Sequence, residues 1–249
     1  MSINKNSIMR VVLSKKSCFP FSGIVLFLVS FLLINPVAHS QVVNESTKKK
    51  VSVGIGIYDD IMMNVPAGIK TRVINQGIHV YALYNLPFGK SIFGFSIGLG
   101  VSTHNIFGNF LVNKSGDSTV LIKIPDTVGY KRSKISLAYL EVPFEFNIKT
   151  KGKFQAALGF KVGYMIASKE VYVGDGGIKT FNFSSATPTK IRVKSLGVPN
   201  IDQFAYGPTL RVGYKWIALD CYYMISTIFT KNHGPDMYPV SVGIAIVPF

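Results

Sequence analysis

Six charged residues at even spacings carry the most concrete chemistry in this sequence. Glu141, Glu145 and Lys149 recur every four residues in one extended stretch, and Lys161, Arg211 and Asp220 follow singly in the next three. In a strand, residues two or four apart share a face, so Glu141, Glu145 and Lys149 should neighbour Lys161, with Arg211 and Asp220 continuing a ring. Charges that face a narrow interior are expensive unless paired. The expectation is a salt-bridged plug, with a proton or ion path as the functional alternative.

Other reactive groupings are thinner. His79, His104 and His233 are scattered over a strand, the outer end of another strand and a late loop. No Ser, His and acid spacing links them, so no catalytic set is named, although loop ends can converge in space. The same three histidines, with one cysteine beyond the leader, make no metal signature. Asp59-Asp60 can hold a cation at a loop mouth, but two carboxylates are a weak ligand set. Gly54-x-Gly56, Gly98-x-Gly100 and "GDGG" (174–177) look like phosphate-loop fragments, yet none precedes a helix. They read as lumen or loop glycines, and no cofactor is implied. Lys190, Arg192 and Lys194 alternate along "KIRVK" and so share one face of a ribbon. That face fits lipopolysaccharide phosphates or an acidic partner, against plain solvation of a protruding ribbon.

The elements that must position these groups are strands. Apolar alternation predicts them over 51–58, 77–86, 91–104, 135–149, 154–164, 204–214, 217–225 and 238–249. The clearest puts Ala138, Leu140, Val142, Phe144, Phe146 and Ile148 on one face, with Tyr139, Glu141, Glu145, Asn147 and Lys149 on the other. Short gaps at 87–90, 150–153 and 215–216 read as tight turns. The gaps 105–134 and 169–203 are long, and "LIKIP" and "KIRVK" inside them read as hairpin extensions above a membrane. Ten residues at ~3.3 Å each, tilted ~40°, cover about 25 Å, the height of an outer-membrane apolar band. The fold expected is all-β: an eight-stranded antiparallel transmembrane β-barrel with short periplasmic turns, long extracellular loops and a lumen filled by side chains. Pro143 and Pro208 each remove a ladder donor, so bulges are expected there, and Pro248 shifts the alternation just before Phe249.

Residues 1–40 read as a signal peptide. Lys5, Arg10, Lys15 and Lys16 precede an apolar run over 19–34, and Ala38-His39-Ser40 offers small residues at −3 and −1 of a cut before Gln41. Cys18 lies ahead of that run and is no lipid anchor; Cys221 alone remains, so the mature fold holds without an internal disulfide. Residues 41–50 read as a flexible periplasmic lead-in and 51–249 as the barrel. Four of the 27 basic residues lie in the leader and all 12 acidic ones lie beyond it. The remaining positive excess can suggest nucleic acid, but a secretory signal points instead to lipopolysaccharide or other anionic envelope polymers.

"LAYLEVPFEFNIKT" (137–150), "AALGFKVGYMIAS" (156–168), "YGPTLRVGYKW" (206–216) and "MYPVSVGIAIVPF" (237–249) together resemble the Bacteroidetes-type outer-membrane β-barrel family labelled PorT-like. The resemblance implies the outer membrane of a Gram-negative bacterium and an aromatic C-terminus read by the barrel-insertion machinery. It supplies no catalytic residue. One branch of that family serves protein secretion and gliding. The function expected is a non-enzymatic barrel whose basic loops bind another envelope protein or play a structural role; the alternative is a small transport or secretion component.

Overall fold

The computed structural model describes residues 50–175 and 190–247. The chain divides into two units, and all described residues belong to the second, Glu45–Phe249. The leader, its cut before Gln41, nearly all of the lead-in, and Pro248 with Phe249 lie outside the described residues.

The strands are β1 (Val51–Met63), β2 (Gln76–Pro87), β3 (Phe93–Phe107), β4 (Phe110–Ser115), β5 (Ser118–Lys123), β6 (Tyr130–Lys149), β7 (Phe154–Asp175), β8 (Lys190–Leu196), β9 (Phe204–Tyr214), β10 (Ile217–Tyr223) and β11 (Tyr238–Ile246). Eight of them close a ring in the order β6-β3-β2-β1-β11-β10-β9-β7, with β7 returning to β6. Every pairing is antiparallel. Closure satisfies both edges of each strand, the condition for crossing lipid with strands. Outside the ring, β8 adds to the upper part of β7 from Lys169 to Asp175, and β4 with β5 forms a separate hairpin.

The alternation expected from sequence is realised with the apolar side outward. On β1, Val51, Val53, Ile55 and Ile57 are exposed while Ser52, Gly54, Gly56 and Tyr58 are buried. Leu158 is 63% exposed and Leu219 60%; rows of such residues around a ring are tolerable only against lipid. Aromatic side chains gather at both ends of this belt. Phe93 stacks on Phe146 with centroids 5.8 Å apart at the short-turn end. Tyr164–Phe204 and Tyr223–Tyr238 pair at 5.5 and 5.7 Å at the other. Inward glycines make room for large rings: a Cβ on Gly54 would lie 2.3 Å from the Tyr81 ring, and one on Gly56 1.9 Å from His79 Nε2. This is what the Gly-x-Gly spacing in β1 does.

The prolines behave differently from expectation. No register shift occurs at Pro143 or Pro208, which stay in register with Lys161 and Phe160 of β7. Each instead meets a gap on its other side. The β3–β6 ladder is interrupted between the pairs Ile97–Phe144 and Gly100–Glu141, and the β9–β10 ladder stops at Thr209–Tyr222. A missing N–H is harmless where no acceptor is paired with it. The shift beside these segments falls at Ala138/Tyr139, opposite Ile166.

Above that shift the polarity of β6 and β7 inverts. Ile135, Leu137, Tyr139 and Tyr172 point inward and are buried, whereas Arg132, Lys134 and Lys169 take the outward positions. Ile135, Leu137 and Tyr139 join a core with Ile106, Phe110, Met224, Phe229 and Met237, an apolar cap over the lumen. Leu111, Ile124 and Tyr172 form a smaller cluster beneath Ile191 and Val193 of β8. Glu170 is also inward here; its Oε1 accepts the Val112 N–H at 2.8 Å, and burial holds its carboxyl above the usual range despite that bond.

Candidate functional site

The lumen is built in layers from the short-turn end upward. Lowest is a chain of neutral groups: Asn147 Nδ2 donates to Ser96 Oγ at 2.6 Å, Ser96 Oγ to Asn85 Oδ1 at 2.7 Å, and Asn85 Nδ2 to Ser52 Oγ at 2.8 Å. Four neighbouring strands thus tie their polar faces together without charge.

The next layers hold most of the charges that alternation placed inside. Arg211 grips Glu145 bidentately, Nη2 to Oε1 at 2.7 Å and Nη1 to Oε2 at 3.2 Å. Its Nε lies 3.4 Å from Asp220 Oδ2, and His79 Nε2 approaches the same oxygen at 3.7 Å. Lys161 Nζ sits 2.9 Å from Glu141 Oε1, which also accepts from Ser102 Oγ at 2.6 Å. Two tyrosines floor these cations: the Arg211 guanidinium is 4.7 Å from the Tyr81 ring centroid, and Lys161 Nζ is 3.8 Å from that of Tyr222. Of the six residues expected in one ring, five form ion pairs, but in two groups: Lys161 with Glu141, and Arg211 with Glu145 and Asp220. Lys149 does not; it is half-buried at the lower mouth and makes no ion pair within the described residues. It lines a small space of about 20 Å³ with Glu145 and Arg211.

Asp60 takes its place in the interior. Asp59 and Asp60 are successive strand residues, so their side chains leave opposite faces. Asp59 points outward and accepts the Asn75 N–H, while Asp60 is fully buried. The pair therefore cannot close on one cation at a loop mouth. Asp60 Oδ1 accepts from Ser241 Oγ at 2.6 Å, and Oδ2 lies 2.9 Å from His104 Nδ1. His104 Nε2 is 3.4 Å from the Tyr58 hydroxyl, which donates to the Thr103 carbonyl at 3.1 Å.

A serine, an acid and a histidine do converge here, 181 residues apart between Ser241 and Asp60. Their order is wrong for nucleophilic attack, because the histidine must stand between hydroxyl and acid. Here the acid stands in the middle. His233 is remote, its Nδ1 3.0 Å from the Asp117 carbonyl on an exposed loop.

Between the charged layers lies a space of about 30 Å³ lined by Tyr58, His79, Tyr81, Glu141, Lys161 and Tyr222 among others. Among the described residues the hydroxyls of Tyr81 and Tyr222 find no hydrogen-bond partner. That volume fits one or two waters and nothing larger. Above it stand the buried apolar side chains of the cap.

The loop face read from "KIRVK" is real as geometry. Lys190, Arg192 and Lys194 are exposed on β8, while Ile191 and Val193 on the other side pack against the small cluster. Sequence reasoning missed Asp60, His104 and Ser241 as a set. The signal was present in the unbroken alternation of β1 past Tyr58, with Ile61 and Met63 still exposed and Asp60 and Met62 still buried.

A family model described as outer membrane protein beta-barrel domain matches residues 37–229. No curated protein matches the chain.

Proposed function

Since the chain belongs to the outer membrane protein beta-barrel domain family, we propose that it is a non-enzymatic, non-conducting barrel of the outer membrane whose basic long-loop end does the binding. The observation that carries this reading is the lumen itself. Ion pairs at 2.7 and 2.9 Å fill it, and an apolar cap closes it. An eight-stranded barrel is just wide enough for side chains to fill, so the interior acts as the core that holds the exposed end in place. What remains for contact is the end bearing the β4–β5 hairpin and β8.

The rest of the reading rests on the sequence alone: export through a signal peptide cut near Ser40, and a place among the PorT-like barrels of Bacteroidetes. Planar bilayers test the central part. Purified, refolded protein is expected to leave the membrane silent at all voltages. Steady conductance steps, changed in size by Glu145→Gln, would overturn the closed-barrel reading in favour of a transport role.

A further inference from the structure

The outward face of the barrel continues past its lipid-facing rows, and there its chemistry changes abruptly. Register places Phe107, Lys134, Val171 and Lys194 side by side across β3, β6, β7 and β8. One step higher come Arg132, Val173 and Arg192; one step lower come Ser136, Lys169 and Leu196. Two basic columns thus flank a valine column. They stand two strand spacings apart, roughly 10 Å, with about 7 Å between successive residues in a column. At these spacings the long lysine and arginine side chains of both columns face one strip, in which Val171 is buried and Val173 half-buried between them.

These charges lack counter-ions. Among the described residues, none of Arg132, Lys134, Lys169, Arg192 and Lys194 has a carboxylate within ion-pair distance. Lys134 Nζ has a neutral acceptor instead, Asn105 Oδ1 at 2.8 Å, and lies 5.0 Å from the Phe107 ring centroid. Arg72 stacks on the same ring at 5.3 Å and extends the patch. Asp175, at the top, turns its Oδ2 to the Gly129 N–H at 3.1 Å. The intervening segment 176–189 contains one lysine and no acidic residue. Partial burial first, and then the nearby Lys169 and Arg132, hold the Lys134 ammonium below the usual lysine range.

Position selects the partner. The patch shares the outward face with Leu140 and Tyr164, which face lipid, and Leu196 at its base is 62% exposed. A soluble partner would approach from the loop tips; a lipid headgroup already stands at this height beside the barrel wall. We propose that Arg132, Lys134, Lys169, Arg192 and Lys194 form a site for the phosphates of an outer-leaflet glycolipid. This rests on the reading that the long-loop end lies at the cell surface, and it narrows the binding role of that end to one chemistry.

The test uses the full-length refolded protein in neutral detergent, with binding of lipid A measured by titration calorimetry. Bisphosphorylated lipid A is expected to bind more tightly than the same lipid dephosphorylated, and added salt should weaken it. Lys134→Gln with Lys194→Gln should lower affinity about 30-fold, near fivefold per charge. Lys114→Gln, an exposed basic residue of β4 away from the patch, should leave it unchanged. Equal binding of the two lipids, or equal affinity of the double variant and Lys114→Gln, overturns the proposal. So does inorganic phosphate or heparin competing as well as lipid A, which would mark a general anion surface. Surface biotinylation of intact cells at a cysteine placed at Lys114 reads the orientation separately: its failure contradicts the surface reading without touching the detergent result.

Discussion

Arg211→Met is expected to destabilise the folded barrel by roughly 3–5 kcal/mol, read from urea unfolding in lipid vesicles. The variant keeps a chain long enough to pack on the Tyr81 ring but removes both bonds to Glu145 and the 3.4 Å approach to Asp220. Two buried carboxylates are then left with His79, 3.7 Å from Asp220, and with Lys149 in the small space beside Glu145, neither of which replaces the guanidinium. The loss comes from stranding those charges, not from the attraction alone, because desolvation offsets much of what a buried pair gains. A triple variant, Arg211→Met with Glu145→Leu and Asp220→Asn, should therefore recover most of the loss. Lys161→Met should be milder, since Glu141 retains the Ser102 hydroxyl at 2.6 Å. If Arg211→Met unfolds at the wild-type midpoint, these charges are hydrated and the plug does not exist.

Leu158→Arg is expected to cost about 2–4 kcal/mol, the penalty of an arginine near the middle of the apolar belt of an outer-membrane barrel. Leu158 lies between Phe146 of β6 and Leu210 of β9 in register, all three outward and 46% exposed or more. It is midway along the outward row of β7 that runs from Phe154 to Tyr164. No neighbouring carboxylate is in that row. The same substitution on a water-facing sheet would be neutral, because a 63% exposed position loses no packing. The sign of this one result thus separates lipid from water outside the ring.

Strand periodicity is the simplest signal a chain can carry, and it made the eight ring strands and the inward placement of Glu141, Glu145, Lys161, Arg211 and Asp220 legible. It failed where the solvent changes. Above Ala138 the outside is no longer lipid, so Lys134 and Arg132 belong outward and Ile135 and Leu137 inward. Read as one continuous pattern, that inversion hides the upper part of β7, residues 165–175, and the cap. It also hides the basic columns, of which only the β8 half, Lys190 to Lys194, alternates cleanly enough to be noticed. Asp60 was obscured by its neighbour, because two adjacent carboxylates suggest a loop more readily than a strand. Its partners could not be read at all. Ser241 and His104 reach it only through ring closure of β1 on β11 and the reach of β3 past the intervening β2, and no local rule encodes which strands close. Lys149 shows the converse: the correct face, but one residue too near the mouth to be enclosed.

The most direct measurement is nitroxide scanning of β7 from Gln155 to Tyr164 in lipid vesicles, with Cys18 and Cys221 replaced by serine. Collision with dissolved oxygen and with a water-soluble nickel chelate is recorded at each position. We expect period-two behaviour: labels at Ala156, Leu158, Phe160 and Val162 meet oxygen and exclude nickel, while labels at Ala157, Gly159 and Lys161 meet neither. High nickel collision at Leu158 and Phe160, or at Lys161, would contradict a sealed, charge-filled cylinder set in lipid.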